Sequence, residues 1–148
     1  MAGIGTLYQD LIIEIIVQLK TIPELTGTPN DPKVFKWAGP RHPIRGIHEA
    51  FVLAGPMNVT GGFTTKSTLN EFQIIVDTLH YAEEFDKGFD ESMAVAEKVY
   101  DKFHLTTINN LVRIAQVDIF PGDGEISGDN LLAIPIRITI KCELVITQ

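Results

Sequence analysis

The sequence predicts an α+β fold in which an antiparallel β-sheet is flanked by two main helices, in the order α-β-β-β-α-β-β. Two segments, 6–21 and 90–104, have apolar residues at helical spacing. The segments between and after them are rich in β-branched and aromatic residues, and 132–147 alternates strictly in apolar character. Strands that are grouped between helices, rather than alternating with them, favour antiparallel pairing.

The first helix is predicted over 6–21. Thr6 followed by Gln9 fits a capping box, and Lys20 would lie in the last turn, where a cation interacts favourably with the helix dipole. Proline and glycine then recur through 22–46, which predicts a long loop with one short strand at 33–37.

A hairpin is predicted next, with strands over 47–54 and 69–81. Gly55, Pro56, Gly61 and Gly62 lie between these runs, so a long polar tip is expected over 55–68. Asp90 is then a suitable N-cap for a second helix, which continues to His104 and has a single apolar face.

The last two strands are predicted over 113–120 and along the alternating segment 132–147. The first is closed by a Pro-Gly-Asp-Gly turn at 121–124. Pro135 cannot donate to a strand ladder, so its end of the final strand is expected at a sheet edge or a bulge. Cys142 is in register with the apolar residues of this strand and is predicted to be a core side chain.

Composition limits the classes of protein. The chain has 148 residues, enough for one domain over 1–148, and a formal net charge of -7, which disfavours tight binding to a phosphate backbone. Its single cysteine excludes an internal disulfide and suggests a reducing compartment. Neither a secretion signal nor a membrane span is expected, because the longest apolar stretch, 7–19, is interrupted by polar residues.

The first helix carries a second apolar patch. Ile13 and Val17 lie one turn apart on the side opposite the predicted core stripe. Leaving such side chains exposed forgoes about 1.5 to 3 kcal/mol each, so a covering surface is expected. Either a neighbouring subunit or the loop that contains Trp37 could provide this surface.

No pattern predicts a catalytic, metal or cofactor site. The four histidines are scattered over different segments, and His42 and His48 lack helical ligand spacing. The Gly-Asp-Gly-rich stretch 122–129 lacks the lysine of a P-loop and the spacing of an EF-hand, and is predicted to be a mobile acidic turn. Asp77 lies on a half-apolar strand face and requires a partner, such as a cross-strand lysine or arginine.

The order and proportions of these elements resemble the tail terminator, or tail-completion, proteins of long-tailed bacteriophages, the family of the lambda-type minor tail protein. The similarity lies in the opening helix Leu7–Lys20, the hairpin around Phe51–Val76, the helix Ser92–Phe103 and the closing strand Ile134–Ile146. It implies a structural virion protein, assembled in the host cytoplasm, whose hexameric ring caps the tail tube at the head–tail junction. The implied partners are other copies of the chain, the tail tube protein and the head–tail connector, while DNA passes through without specific binding.

Two groups of residues are candidates for contacts in such a ring. The predicted subunit interface comprises exposed apolar residues, namely Ile13, Val17, Met57, Val59 and Phe63. The predicted surface facing the lumen or the tube is the acidic loop, with Asp123, Glu125 and Asp129.

Other functions stay open on the sequence alone. A head-closure or neck connector protein would share the ring and the acidic lumen. A small dimeric α+β enzyme with a ligand cavity would have to use Asp77, His80 or His48 as its base. A nucleic-acid-binding module would need a basic stripe, whereas the lysines and arginines here are dispersed.

Overall fold

The structure, a computed structural model, describes residues 4–37, 41, 43–62, 67–108, 114–126 and 130–147. The predicted α+β class is confirmed, and the order of elements agrees apart from a short additional strand. In chain order the elements are α1 (Ile4–Leu19), a 3-10 helix (Pro23–Leu25), β1 (Val34–Lys36), β2 (His48–Gly62), β3 (Ser67–Ala82), α2 (Phe85–Phe103), β4 (Ile114–Pro121), β5 (Glu125–Ile126) and β6 (Leu132–Thr147).

The strands form one sheet in the order β1-β2-β3-β6-β4, with β5 also paired to β6. All pairs are antiparallel except β1 with β2, which run parallel, so the sheet is mixed rather than wholly antiparallel as predicted. A parallel pair needs a crossover, and the long connection between Lys36 and His48 supplies the length for it.

Both helices pack on one face of this sheet. α1 contacts β1, β2 and β3, and α2 contacts β3, β4 and β6. The shared core is almost solvent-free and contains Leu11, Ile12, Ile15, Leu19, Phe72, Ile74, Val76, Val95, Val99, Phe103, Ile138, Ile140 and Cys142. The predictions of the α1 core stripe and of Cys142 as a core residue are therefore confirmed.

Both helices begin earlier than predicted. α1 already includes Ile4, so Thr6 lies inside the helix rather than at its cap, and α2 starts at Phe85 rather than after Asp90. The first turn of α2 contains Gly88, where a Cβ atom would stand 2.5 Å from the Ala82 side chain. A residue without a Cβ atom is therefore favoured there despite the low helix propensity of glycine, because the helix lies so close to the sheet.

The predicted loop over 55–68 is wrong for most of its length. β2 and β3 stay paired as far as Gly62 and Thr68, so the hairpin forms a long arm, and β6 pairs with the other side of β3 along the same stretch. Gly55 and Pro56 fall at a bulge between Ala54 and Met57, where an unpaired residue and a missing N–H are tolerated.

Pro135 lies at a gap between two ladders on one side of β6, rather than at the sheet edge or bulge that was predicted. On that side of β6 the ladder with β4 ends at Ile136, and the ladder with β5 starts at Ala133. β5 corrects the prediction of an acidic turn over the whole of 122–129, because Glu125 and Ile126 pair with β6.

Candidate interaction surfaces

The second apolar patch on α1 is exposed as predicted. Ile13 and Val17 are each 52% exposed, whereas Ile12 and Ile15, on the opposite side of the same helix, are completely buried. Trp37 is itself 46% exposed, and the described part of its loop does not bury the patch. The role of Ile13 and Val17 in a subunit interface stays a prediction.

The hairpin arm carries the other candidate interface residues. Val59 is 64% exposed, whereas Met57 is half-buried and packs against the core. The Tyr8 hydroxyl donates to the Gly55 carbonyl at 2.8 Å and ties α1 to the arm at the bulge. Phe63 lies outside the described residues.

The face of the sheet opposite the helices holds a groove of about 280 Å³. Its floor is apolar, one wall is Phe120, which is 54% exposed, and Arg41 reaches over it to Glu125 with an N–O distance of 3.3 Å. The lining residues are Arg41, Phe51, Leu53, Asp77, Leu79, Phe120, Gly122, Pro135 and Arg137.

Asp77 has the cross-strand partner that the sequence required. It stands opposite Arg137 in the register of β3 and β6. The guanidinium donates to both carboxylate oxygens, at 2.8 Å and 3.0 Å, and the hydrogen bond to Asp77 raises the pKa of Arg137 above its usual value. This bidentate geometry commits Asp77 to a structural ion pair.

A histidine pair that was not predicted from the sequence lies on the helix-covered face of the sheet. His48 and His80 stand opposite each other in β2 and β3, with ring centroids 3.9 Å apart. His80 is 1% exposed, and its Nε2 lies 2.7 Å from Glu91 of α2, while its Nδ1 lies 3.2 Å from the Ile47 carbonyl oxygen. The register of β2 against β3 brings the two histidines together, and the prediction of a long hairpin tip left that register undetermined.

Burial and the neighbouring His80 lower the pKa of His48 to about 4, so its imidazole is neutral near pH 7. Glu24 and Glu91 act in the opposite direction, and Lys98 adds to the lowering. Lys98 also forms an ion pair with Glu24, which joins α2 to the 3-10 helix. The histidines therefore belong to a packed polar cluster under the helices.

These contacts bear on the enzyme alternative. Its candidate bases are Asp77, His80 and His48: Asp77 is paired with Arg137, both ring nitrogens of His80 have partners, and His48 packs on His80. Burial raises the pKa of the Cys142 thiol to about 12, which makes it a poor nucleophile. Within the described part of the chain, no three His, Cys, Asp or Glu side chains converge to hold a metal ion.

Only part of the predicted acidic loop is free to face a lumen or a tail tube. Asp123 is exposed, Glu125 is exposed but pairs with Arg41, and Asp129 lies outside the described residues. None of the helices among the described residues is long and apolar enough to span a membrane.

A chain of a solved virion structure is among the proteins to which this chain is weakly similar. No protein-family model matches the sequence, and no curated protein matches it significantly. A chain of the structure titled "Virion of native gene transfer agent (GTA) particle" is 14% identical, with a TM-score of 0.39, over 86% of this chain and 94% of that chain. A TM-score of this size does not establish a common fold.

Proposed function

We propose that the chain is a structural protein of a phage virion, a tail terminator whose ring of about six subunits caps the tail tube and ends its polymerisation. In that role it would contact the tail tube protein on one side and the head–tail connector on the other. The observation that carries the proposal is the two-sided apolar character of α1. One side of the helix packs into the core of the subunit. Ile13 and Val17, on the other side, are exposed and would be covered by a neighbouring subunit.

A ring built from identical subunits needs two different patches on each subunit, because head-to-tail contacts are heterologous. The α1 patch supplies one. The open face of the sheet supplies a second, since its groove has an apolar floor and an exposed aromatic wall at Phe120. The two surfaces are distinct, because the helices cover the opposite face of the sheet.

The charge of the chain supports a conduit for DNA. A formal net charge of -7 on each subunit would give a ring of six a strongly negative surface, which repels phosphates instead of releasing their counterions. Asp123 and Glu125 are exposed and are candidates for the lumen.

The contact through α1 is tested by the double variant Ile13→Asp with Val17→Asp. We expect it to abolish the ring, because each change places a charge in a buried apolar interface, while the circular dichroism spectrum stays native. A control is Ile126→Asp, which places a single aspartate on β5 at a side chain that is 87% exposed. Rings that persist in the double variant would contradict the proposed contact, as would rings that are lost equally in the control.

A further inference from the structure

The side of α2 that faces β4 and β5 is apolar and partly exposed. At about 100° per residue, Phe85, Phe89 and Met93 lie within about 80° of one another on the helix. Phe85 is 40% exposed, its ring stacks on Phe89 at a centroid distance of 5.7 Å, and Phe89 and Met93 are half-buried. The other flank of α2 faces β3, because Glu91 on that flank contacts His80.

The strand β5 extends this apolar side beyond the helix. A Cβ atom built at Gly124, just before β5, would stand 3.0 Å from the Phe85 ring. Ile126 pairs with Leu132 of β6, so both side chains lie on the same face of the sheet as Ile134, which packs under α2. Ile126 is 87% exposed. We refer to this partly exposed surface as the apolar strip, which comprises Phe85, Phe89, Met93 and Ile126.

The charged residues of α2 are segregated by sign. Four carboxylates lie within about 60° of one another on the helix, beside Met93, and all are exposed. They form an acidic row, which comprises Asp86, Asp90, Glu97 and Asp101. Among the described residues, none of the four takes part in an ion pair. The lysines of α2 lie on the other flank, where Lys98 pairs with Glu24 of the 3-10 helix.

We propose that the apolar strip and the acidic row together bind a basic segment of another protein, in which apolar side chains stand beside lysines or arginines. The apolar side chains of the partner cover Ile126 and Phe85, and its cations lie over the acidic row.

The charge of the acidic row selects this class of partner. Nucleic acids and anionic lipid surfaces bring phosphates of the same sign to the row and are repelled. A second copy of the chain that met the row through the same surface would set carboxylates against carboxylates, which is also unfavourable. A basic and apolar segment complements both parts of the surface.

This surface is separate from the contacts of the proposed ring. Ile13 and Val17 lie on α1, and the groove beside Phe120 lies on the opposite face of the sheet. Partner binding is therefore expected whether or not the chain closes into a ring, so the two proposals fail independently.

The apolar half of the proposal is tested with a synthetic helical peptide of leucine and lysine that carries fluorescein, by fluorescence anisotropy at about 0.15 M salt. Ile126→Ser should weaken binding at least about fivefold, because it removes the most exposed apolar side chain of the strip. The matched control Val145→Ser, at a side chain of β6 that is 47% exposed, should bind as the wild type does. Equal binding by Ile126→Ser and the wild type would overturn the proposal, as would an equal loss in the control.

The acidic half is tested with the same peptide. Asp86→Asn with Asp90→Asn should weaken binding about two- to tenfold, with an unchanged circular dichroism spectrum. The control Asp10→Asn with Glu14→Gln removes the same charge from α1 and should leave binding unchanged. An equal loss in the control would show that net charge alone attracts the peptide, which would refute the site. Equal binding of a peptide with glutamate in place of lysine would contradict the charge argument.

A fluorophore on the apolar strip shows where the peptide binds. Cys142 is buried and its thiol pKa is raised, so a cysteine introduced at an exposed position is labelled selectively. The emission of an environment-sensitive dye at Ile126→Cys should move to shorter wavelength when the leucine–lysine peptide is added, whereas the same dye at Val145→Cys should not respond. An unchanged emission at Ile126→Cys, at peptide concentrations that saturate the anisotropy signal, would overturn the assignment of the site.

Discussion

Acid should destabilise this fold through His48. Lowering its pKa from 6.5 to about 4 means that the folded protein favours the neutral imidazole, whereas the unfolded chain protonates near 6.5. The unfolded state therefore binds more protons between these two values, and stability falls as the pH falls through this window. His80, Glu24, Glu91 and Lys98 are the charged or titratable groups around the ring that set this balance.

The size of the effect follows from the difference between the two pKa values. At 1.36 kcal/mol for each pH unit, the limit below both values is about 3 kcal/mol. Between about pH 7 and pH 5 the same relation gives a loss of about 2 kcal/mol, which we reduce to about 1 kcal/mol because the His48 ring is partly solvated.

The assay is urea unfolding, followed by circular dichroism, at several pH values from about 7 down to 5. The free energy of unfolding of the wild type should decrease by about 1 kcal/mol more than that of His48→Gln, which cannot be protonated. Equal pH dependence in the two proteins would refute the reasoning, because the slope would then arise elsewhere.

Three further predictions concern packing and the ion pair. Gly88→Ala should cost about 1 to 3 kcal/mol in thermal or urea unfolding, because its Cβ would stand 2.5 Å from Ala82 and Ile134; unchanged stability would show that the helix can move away. Cys142→Ser should cost about 1 to 3 kcal/mol, because it buries an added polar group, and should leave assembly intact. A stable Cys142→Ser protein that fails to assemble would contradict the core role. Asp77→Asn should cost at most about 1 kcal/mol in unfolding, because the Arg137 side chain is 56% exposed, and a much larger loss would show that the pair carries more of the fold.

The elements that were predictable from the sequence are those whose patterns are local. The alternation along β6 places Ile138, Ile140 and Cys142 on one face, and the structure buries all three. The stripe on α1 was likewise predictable because helical spacing alone separates Ile12 and Ile15 from Ile13 and Val17.

What could not be predicted depends on contacts between distant segments. Gly55 and Pro56 predict a loop when taken locally, but a bulge keeps β2 paired past them. The early start of α2 brings Gly88 close to Ala82, and no local pattern predicts that contact. The histidine pair could not be found without the register of β2 against β3.

The same limit applies to the candidate surfaces. Exposure of Ile13 and Val17 followed from spacing, whereas the groove near Phe120 depends on four strands that meet in the folded sheet, β2, β3, β6 and β4. The need of Asp77 for a partner could be predicted, but Arg137 could be identified only from the pairing of β3 with β6.

The most direct test of the proposed ring is the solution mass of the protein over a range of concentrations, followed by negative-stain imaging. A ring of about six chains of 16.4 kDa has a mass of about 98 kDa, that is 6 × 16.4, and should image as an annulus with a central hole. A mass of 16.4 kDa at every protein concentration, with no annular particles, would contradict the proposal that this chain closes into a ring.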